Sequence, residues 1–120
     1  LQYPDRFVVG FCGDGGFMMT SQELATAMHH GANPVIIVCN NQMYGTIRMH
    51  QEREYPGRHS ATFLSNPDFM KLGQSYGART IRIERTEDFA AAWQDILKNR
   101  RLTLVEIVMD PRQISTRSTL

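Results

Sequence analysis

Four short runs rich in apolar residues divide the chain, and a glycine or a polar residue follows each within two positions. The runs lie at residues 6–12, 34–39, 78–83 and 102–108. Runs of this length that are rich in apolar residues and bounded by turn-forming residues predict strands, and the most continuous of them predict strands that are buried on both faces. The segments between them place apolar residues at helical spacing, as at Leu24, Ala27 and Met28. The chain therefore alternates predicted strands with predicted helices.

Capping signals mark where the predicted helices begin. Thr20 and Glu23 have the spacing of a capping box, which predicts a first helix from this point to about residue 30. Asn66, followed by Pro67, has the signature of a helix cap with proline in the first turn. A further helix is predicted from Thr86, where two acidic residues follow.

The stretch from residue 40 to residue 65 has a weaker pattern. We expect a loop over residues 40–45, one or two helical turns at residues 47–51, and a long polar surface loop over residues 51–65. The tail after residue 111 is polar and shows no strong period.

This order of elements predicts an α/β fold, a doubly wound parallel sheet with helices on both faces. The 120 residues are enough for a single domain, residues 1–120, with its own core. In open sheets of this type, ligands bind beyond the carboxyl ends of the strands. Candidate functional residues are therefore expected at those ends.

Composition and charge argue against several classes of partner. The formal net charge is +1 with both signs interspersed, which favours neither nucleic acid nor a membrane surface. No apolar run is long enough to span a bilayer. Cys12 and Cys39 each end a predicted buried strand, which is typical of reduced core residues in a cytoplasmic protein. Because the chain does not begin with Met, we expect it to be part of a longer polypeptide.

Two strand ends carry the residues with the clearest chemistry. Gly-Asp-Gly-Gly at residues 13–16 follows the first strand, and Asn40 and Asn41 follow the second. Glycines let backbone amides approach a ligand closely, and a helix start favours an anion such as phosphate. Asp14 would repel phosphate unless a cation lay between them, and Mg²⁺ binds carboxylate, amide and carbonyl oxygens together with phosphate oxygens. The two segments together indicate one Mg²⁺–diphosphate site.

Either segment alone is also compatible with a plain turn. Two familiar phosphate-binding motifs do not fit. The dinucleotide fingerprint lacks its third glycine, and no Gly-Lys-Ser/Thr follows to make a P-loop.

The combined motif resembles that of the thiamine diphosphate-dependent enzymes, in which Gly-Asp-Gly is followed after a spacer by Asn-Asn. Residues 13–27 are similar to the diphosphate-binding domain of the acetolactate synthase group. So are Asn-Asn-Gln-Met-Tyr-Gly at residues 40–45 and Asn-Pro-Asp-Phe at residues 66–69. The resemblance covers nearly the whole chain.

The resemblance implies a fold and a set of ligands. The fold would be the thiamine diphosphate-binding fold without its first elements, and the cofactors would be thiamine diphosphate and Mg²⁺. Asp14, Asn41 and the backbone carbonyl of Met43 correspond to the Mg²⁺ ligands. The remaining cofactor-binding positions would be Gly13, Gly15, Gly16, Tyr44 and Gly45.

The resemblance also implies an activity for the larger enzyme. It would decarboxylate a 2-keto acid and transfer the resulting carbanion or enamine to an acceptor, as a transferase or lyase. In the family the activating glutamate comes from a pyrimidine-binding domain of the same or a partner subunit, and nothing in this chain resembles that domain. We therefore assign no catalytic residue here and expect a homo-oligomer.

Two alternatives stay open, a simple 2-keto acid decarboxylase and a non-catalytic cofactor-binding or oligomerisation module. His50 keeps the first of them open. Acetolactate synthases typically carry tryptophan near this point, in a segment that borders the substrate.

Overall fold

The computed structural model describes residues 2–115, 118 and 119. Its elements, in chain order, are β1 (Val9–Gly13), α1 (Asp14–Thr20), α2 (Glu23–His29), β2 (Val35–Asn40), α3 (Gly45–Glu54), α4 (Phe69–Ser75), β3 (Arg79–Ile83), α5 (Thr86–Lys98), β4 (Thr103–Val108), β5 (Gln113–Ser115) and β6 (Ser118–Thr119).

A parallel sheet of four strands forms the centre of the molecule. Its strand order is β1-β2-β4-β3, and every neighbouring pair is parallel. Val35 of β2 lies opposite Val9 of β1 on one side and Thr103 of β4 on the other. The two central strands are the most deeply buried, and Ile37 and Leu104 have no exposed surface. The predicted α/β parallel sheet is confirmed.

Helices cover both faces of this sheet. Side chains along a strand alternate between the two faces, so each central strand contributes to a core on either side. On one face, Val38 and Leu104 pack with Phe17 of α1, Leu24 of α2 and Phe69 of α4. On the other face, Val35, Ile37 and Val105 pack with Ile96 of α5. A continuous apolar run such as that of β2 is what two covered faces require.

The first helix begins earlier than the capping signal predicts. α1 starts at Asp14, directly after β1, and Thr20 is its last residue rather than a cap. A second helix, α2, then starts at Glu23, with Gln22 as an N-cap that makes no side-chain hydrogen bond. The capping-box prediction is therefore wrong. Burial of Phe17 against the sheet stabilises a helix that its two glycines disfavour.

The cap of α4 is also displaced from its predicted position. Asp68, not Asn66, caps this helix, because its carboxylate accepts hydrogen bonds from the backbone N–H groups of Met70 and Lys71. These bonds hold the pKa of Asp68 below its usual value. The Asn66 side chain is thus free for another role.

The region predicted to be mostly loop is more ordered than its polarity indicates. α3 spans Gly45–Glu54, beyond the one or two turns predicted at residues 47–51. The segment after it is tied back to the helix, since the Gln51 side chain both donates to and accepts from the Ser60 backbone. Glu52 accepts a hydrogen bond from the backbone N–H of Gly57.

The two cysteines are free thiols and only partly buried. Burial raises the pKa of both thiols, and the Asp14 carboxylate raises that of Cys39 further. The prediction of free thiols near the strand ends agrees with this, but both residues are less buried than the predicted core position requires. None of the helices in the described part of the chain combines the length and apolar character needed to cross a membrane.

Candidate functional site

The predicted site residues converge at the carboxyl ends of β1 and β2. A cleft of about 270 Å³ opens there between the start of α1 and the start of α3. Every predicted cofactor-binding residue except Asn41 lines this cleft, and Thr46 and Ile47 line it as well. Two segments that are distant in sequence therefore form one concave surface.

Asp14 is the charged group of this cleft, and its residue is 1% exposed. Its Oδ2 atom accepts a hydrogen bond of 2.6 Å from the side-chain amide of Asn66. Among the described residues this is its one hydrogen-bond donor, and no lysine, arginine or histidine nitrogen lies within 4 Å of the carboxylate. Burying an uncompensated carboxylate is costly, so the site favours a bound cation.

The second wall of the cleft is a tight turn that follows β2. Gln42 has a φ of 58°, and its backbone N–H donates to Oδ1 of Asn40. The N–H of Met43 donates to Oδ1 of Asn41, and the N–H of Gly45 donates to the carbonyl of Met43. The last bond closes a three-residue turn around Tyr44, whose φ and ψ are −75° and 76°.

The candidate ligand oxygens in this turn keep capacity for a metal. The Asn41 side-chain oxygen and the Met43 carbonyl each accept one hydrogen bond from the described residues. A carbonyl oxygen has two lone pairs, so each retains one. Like the Asp14 carboxylate, they are oxygens of the kind that Mg²⁺ prefers as ligands.

A returning segment, residues 60–64, is hydrogen-bonded to this turn and holds it in place. The N–H of Tyr44 donates to the Thr62 carbonyl, and the N–H of Leu64 donates to the Gln42 carbonyl, each at 2.8 Å. Thr62 has no exposed surface. The stretch predicted to be an irregular surface loop therefore includes a short antiparallel pairing that holds the cleft in shape.

Two glycines of the site are required by close packing. A Cβ at Gly15 would lie 2.5 Å from the ring of Tyr44, and one at Gly45 would lie 2.9 Å from the Asn41 amide nitrogen. At Gly16 a Cβ would meet no atom within 4 Å. Gly15 and Gly45 thus let the two walls approach, while Gly16 keeps open space beside them.

Sequence reasoning missed the residue that links these walls. Asn66 donates to Asp14 and also to Oδ1 of Asn40, at 2.9 Å. No motif distinguishes this role, because asparagine before Pro67-Asp68 is also typical of a helix start.

Other polar residues near the site have structural partners or lie outside it. Arg48 is buried and pairs with Glu52 at 2.8 Å, which leaves it poorly placed to meet a substrate carboxylate. His50 is exposed on α3, and its contact with substrate stays a prediction. Glu23 is exposed at the start of α2, outside the cleft lining.

Comparison with known families gives a match over most of the chain. The model of the thiamine pyrophosphate enzyme C-terminal TPP binding domain matches residues 1–107. The chain belongs to this family. It is thus a thiamine diphosphate-binding domain, and the cofactor that the sequence resemblance implied is the one that the family is named for.

The chain is similar to several curated proteins. The chain is 40% identical over 114 residues to the acetolactate synthase large subunit of Haemophilus influenzae, and the match covers 92% of the chain. It is 30% identical to the acetolactate synthase catalytic subunit of Saccharomyces cerevisiae over 91% of the chain. It is also 31% identical to the 3D-(3,5/4)-trihydroxycyclohexane-1,2-dione hydrolase of Bacillus subtilis over 96% of the chain. The domain is acetolactate synthase-like.

The chain spans only a small part of each of these relatives. It corresponds to 20% of the H. influenzae protein, 16% of the S. cerevisiae protein and 19% of the B. subtilis protein.

The two adjacent glycines of α1 make a matched pair for testing the packing of the cleft. We expect Gly15→Ala to lower the free energy of unfolding by ~1–3 kcal/mol, because its methyl group would overlap Tyr44. Gly16→Ala should raise it by ~0.5 kcal/mol, because alanine favours helix and its methyl group meets open space. Urea unfolding of both variants measures the difference, and equal effects would contradict this account of the cleft.

Proposed function

We propose that this domain anchors the diphosphate of thiamine diphosphate through Mg²⁺ held by Asp14, Asn41 and the carbonyl of Met43. The observation that carries the proposal is the buried Asp14 carboxylate, which has no cationic partner among the described residues and lines a cleft at two strand ends. The three oxygens come from both walls of that cleft. A cation there would offset the buried charge and make the site attractive to a diphosphate.

Each part of the site has a separate task in this proposal. Asp14 supplies the negative charge that retains the cation, and Asn41 and Met43 supply neutral oxygens. The open space beside Gly16 leaves room for the diphosphate, and Tyr44 with Gly45 forms the opposite wall. When bound, thiamine diphosphate supplies the nucleophilic carbon that adds to a 2-keto acid so that carbon dioxide can leave. The chain's own residues bind and orient it.

The larger enzyme is proposed to be an acetolactate synthase-like transferase or lyase. It would decarboxylate a 2-keto acid and pass the product fragment to an acceptor. The activating glutamate would come from a pyrimidine-binding domain of the same or a partner subunit, in a homo-oligomer. The similarity to acetolactate synthases of H. influenzae and S. cerevisiae supports this assignment. The similarity to the B. subtilis hydrolase makes a different reaction on the same cofactor the second candidate.

The reaction is tested with the complete gene product, pyruvate, thiamine diphosphate and Mg²⁺. We expect one carbon dioxide released for two pyruvates consumed, with acetolactate as the product identified by mass spectrometry. Acetaldehyde with one carbon dioxide per pyruvate would instead establish a simple decarboxylase. Hydrolysis of a trihydroxycyclohexane-1,2-dione would favour the second candidate reaction. Cofactor binding without turnover of that compound or of any 2-keto acid would indicate a cofactor-binding module.

A further inference from the structure

A chain of three hydrogen bonds, one buried and two part-buried, runs beneath the candidate metal site. Asn66 donates to Asp14 at 2.6 Å and to Asn40 at 2.9 Å, and Asn40 donates to Oε1 of Glu106 at 2.6 Å. Asn40 is 8% exposed and Glu106 is 2% exposed. The chain joins the ends of β1 and β2 to β4 through side chains that are far apart in sequence.

The two carboxylates at its ends fix the orientation of both amides. An ionised carboxylate only accepts hydrogen bonds, so Asn66 must turn its NH₂ group to Asp14, and Asn40 must turn its NH₂ group to Glu106. The side-chain oxygen of Asn40 then faces the second N–H of Asn66. Every bond in the series has a compatible donor and acceptor, which favours one arrangement over its alternatives.

Two anchors hold Asn66 in place along the backbone. Leu64, two residues before it, is bonded to the turn after β2, and Phe69, three residues after it, is buried against Phe17 of α1. Glu106 anchors the far end of the chain, and its other oxygen lies 3.5 Å from the Arg82 guanidinium. The amide that faces Asp14 is therefore held by the sheet and by two helices.

From this geometry we infer that Asn66 is a positioning residue for the metal-binding carboxylate, an inference that rests on the proposed function. By holding Oδ2 of Asp14, it fixes the plane of the carboxylate and leaves Oδ1 available to a cation. Through Asn40 it also couples Asp14 to the turn that carries the other two ligand oxygens, because Asn40 accepts from the Gln42 N–H. One side chain thus sets the separation between the two walls of the site.

The test measures metal affinity rather than turnover. Mn²⁺ replaces Mg²⁺ as a paramagnetic probe in the complete gene product with saturating thiamine diphosphate, and electron paramagnetic resonance reports free and bound Mn²⁺. We expect Asn66→Ala to weaken Mn²⁺ binding by ~10–100-fold, the range typical for the loss of a residue that orients a metal ligand. The line shape of the remaining bound Mn²⁺ should also change, because the carboxylate is no longer held in one plane.

Asn99→Ala is the matched control. Asn99 likewise donates its side-chain amide to an aspartate, Asp95, at 2.7 Å, but this pair is exposed and outside the cleft. Its removal should change Mn²⁺ affinity by less than ~2-fold. If Asn66→Ala does not fold, Asn66→Leu takes its place, because it keeps a similar side-chain size and removes both donors.

The outcomes separate this inference from the proposed function. If wild type binds Mn²⁺, Asp14→Asn does not, and both Asn66 variants bind as wild type does, the positioning role is wrong while the metal site stands. A lower melting temperature of the metal-free variant with unchanged Mn²⁺ affinity would likewise overturn it, as a purely structural role. If wild type itself does not bind Mn²⁺, the proposed metal site fails first.

Discussion

Replacing Asp14 with asparagine is expected to weaken Mg²⁺-dependent binding of thiamine diphosphate by about 100-fold or more. The substitution keeps an oxygen that accepts the Asn66 hydrogen bond and removes the negative charge. The cation would then be held by neutral oxygens alone, which bind Mg²⁺ far more weakly. Calorimetric titration of the complete gene product with the cofactor and Mg²⁺ measures the loss.

The same variant makes a second, opposite prediction for the metal-free protein. Because the buried carboxylate has no cationic partner among the described residues, its neutralisation should leave the melting temperature unchanged or raise it. Asp88→Asn is the control, since Asp88 pairs with Arg85 at the surface. In this variant neither the cofactor affinity nor the melting temperature should change appreciably. If Asp14→Asn bound the cofactor as tightly as wild type does, the proposal that Asp14 is a metal ligand would be wrong.

Replacing Phe69 with alanine should have the largest effect on stability, a loss of ~3–5 kcal/mol in the free energy of unfolding. The Phe69 side chain is 1% exposed, and its ring packs edge-to-face on Phe17 at a centroid distance of 5.6 Å. This contact joins α4 to α1, the helix that begins with Asp14. The loss should therefore loosen the candidate site as well as the core.

Urea unfolding followed by circular dichroism measures this effect. Phe63→Ala is the matched control, because Phe63 is 64% exposed and its removal should cost less than ~1 kcal/mol. A double-mutant cycle between Phe17 and Phe69 should give a coupling of ~0.5–1.5 kcal/mol for the aromatic pair. A cost for Phe69→Ala no larger than that for Phe63→Ala would be incompatible with the packing described.

The sheet can be predicted from sequence because each strand is recognisable from its own local composition. β2 and β4 are buried on both faces, so they appear as runs rich in apolar residues, and their ends fall within one residue of those predicted. The helices on the sheet were harder to place. α1 contains two adjacent glycines, and only its packing through Phe17 makes it helical, which no local rule detects.

α3 escaped full prediction for a different reason. Its sequence is mainly polar and lacks a clear apolar stripe, so its periodicity was too weak to set its length. Side-chain contacts that the apolar pattern does not reveal stabilise this helix. They include the Arg48–Glu52 pair and the bonds from Gln51 to the returning segment. The turn that forms the wall of the cleft is held by other bonds, those from Tyr44 to Thr62 and from Leu64 to Gln42.

In the candidate site, too, features encoded locally could be predicted, and a contact between residues distant in sequence could not. Both ligand-bearing segments were predicted, because glycine and asparagine at strand ends have a chemical meaning that sequence displays. Asn66 was not, since it lies 52 residues from Asp14 and its neighbours indicate a helix cap. The metal ligands, the oligomer and the cytoplasmic location stay predictions.

The central claim is that this domain holds thiamine diphosphate through a divalent cation. Its most direct test is a calorimetric titration of the complete gene product with thiamine diphosphate, once with Mg²⁺ and once with excess chelator. The account predicts saturable binding, one cofactor per chain, with Mg²⁺ and at least about 100-fold weaker binding with chelator. Equal affinity in both titrations would contradict it.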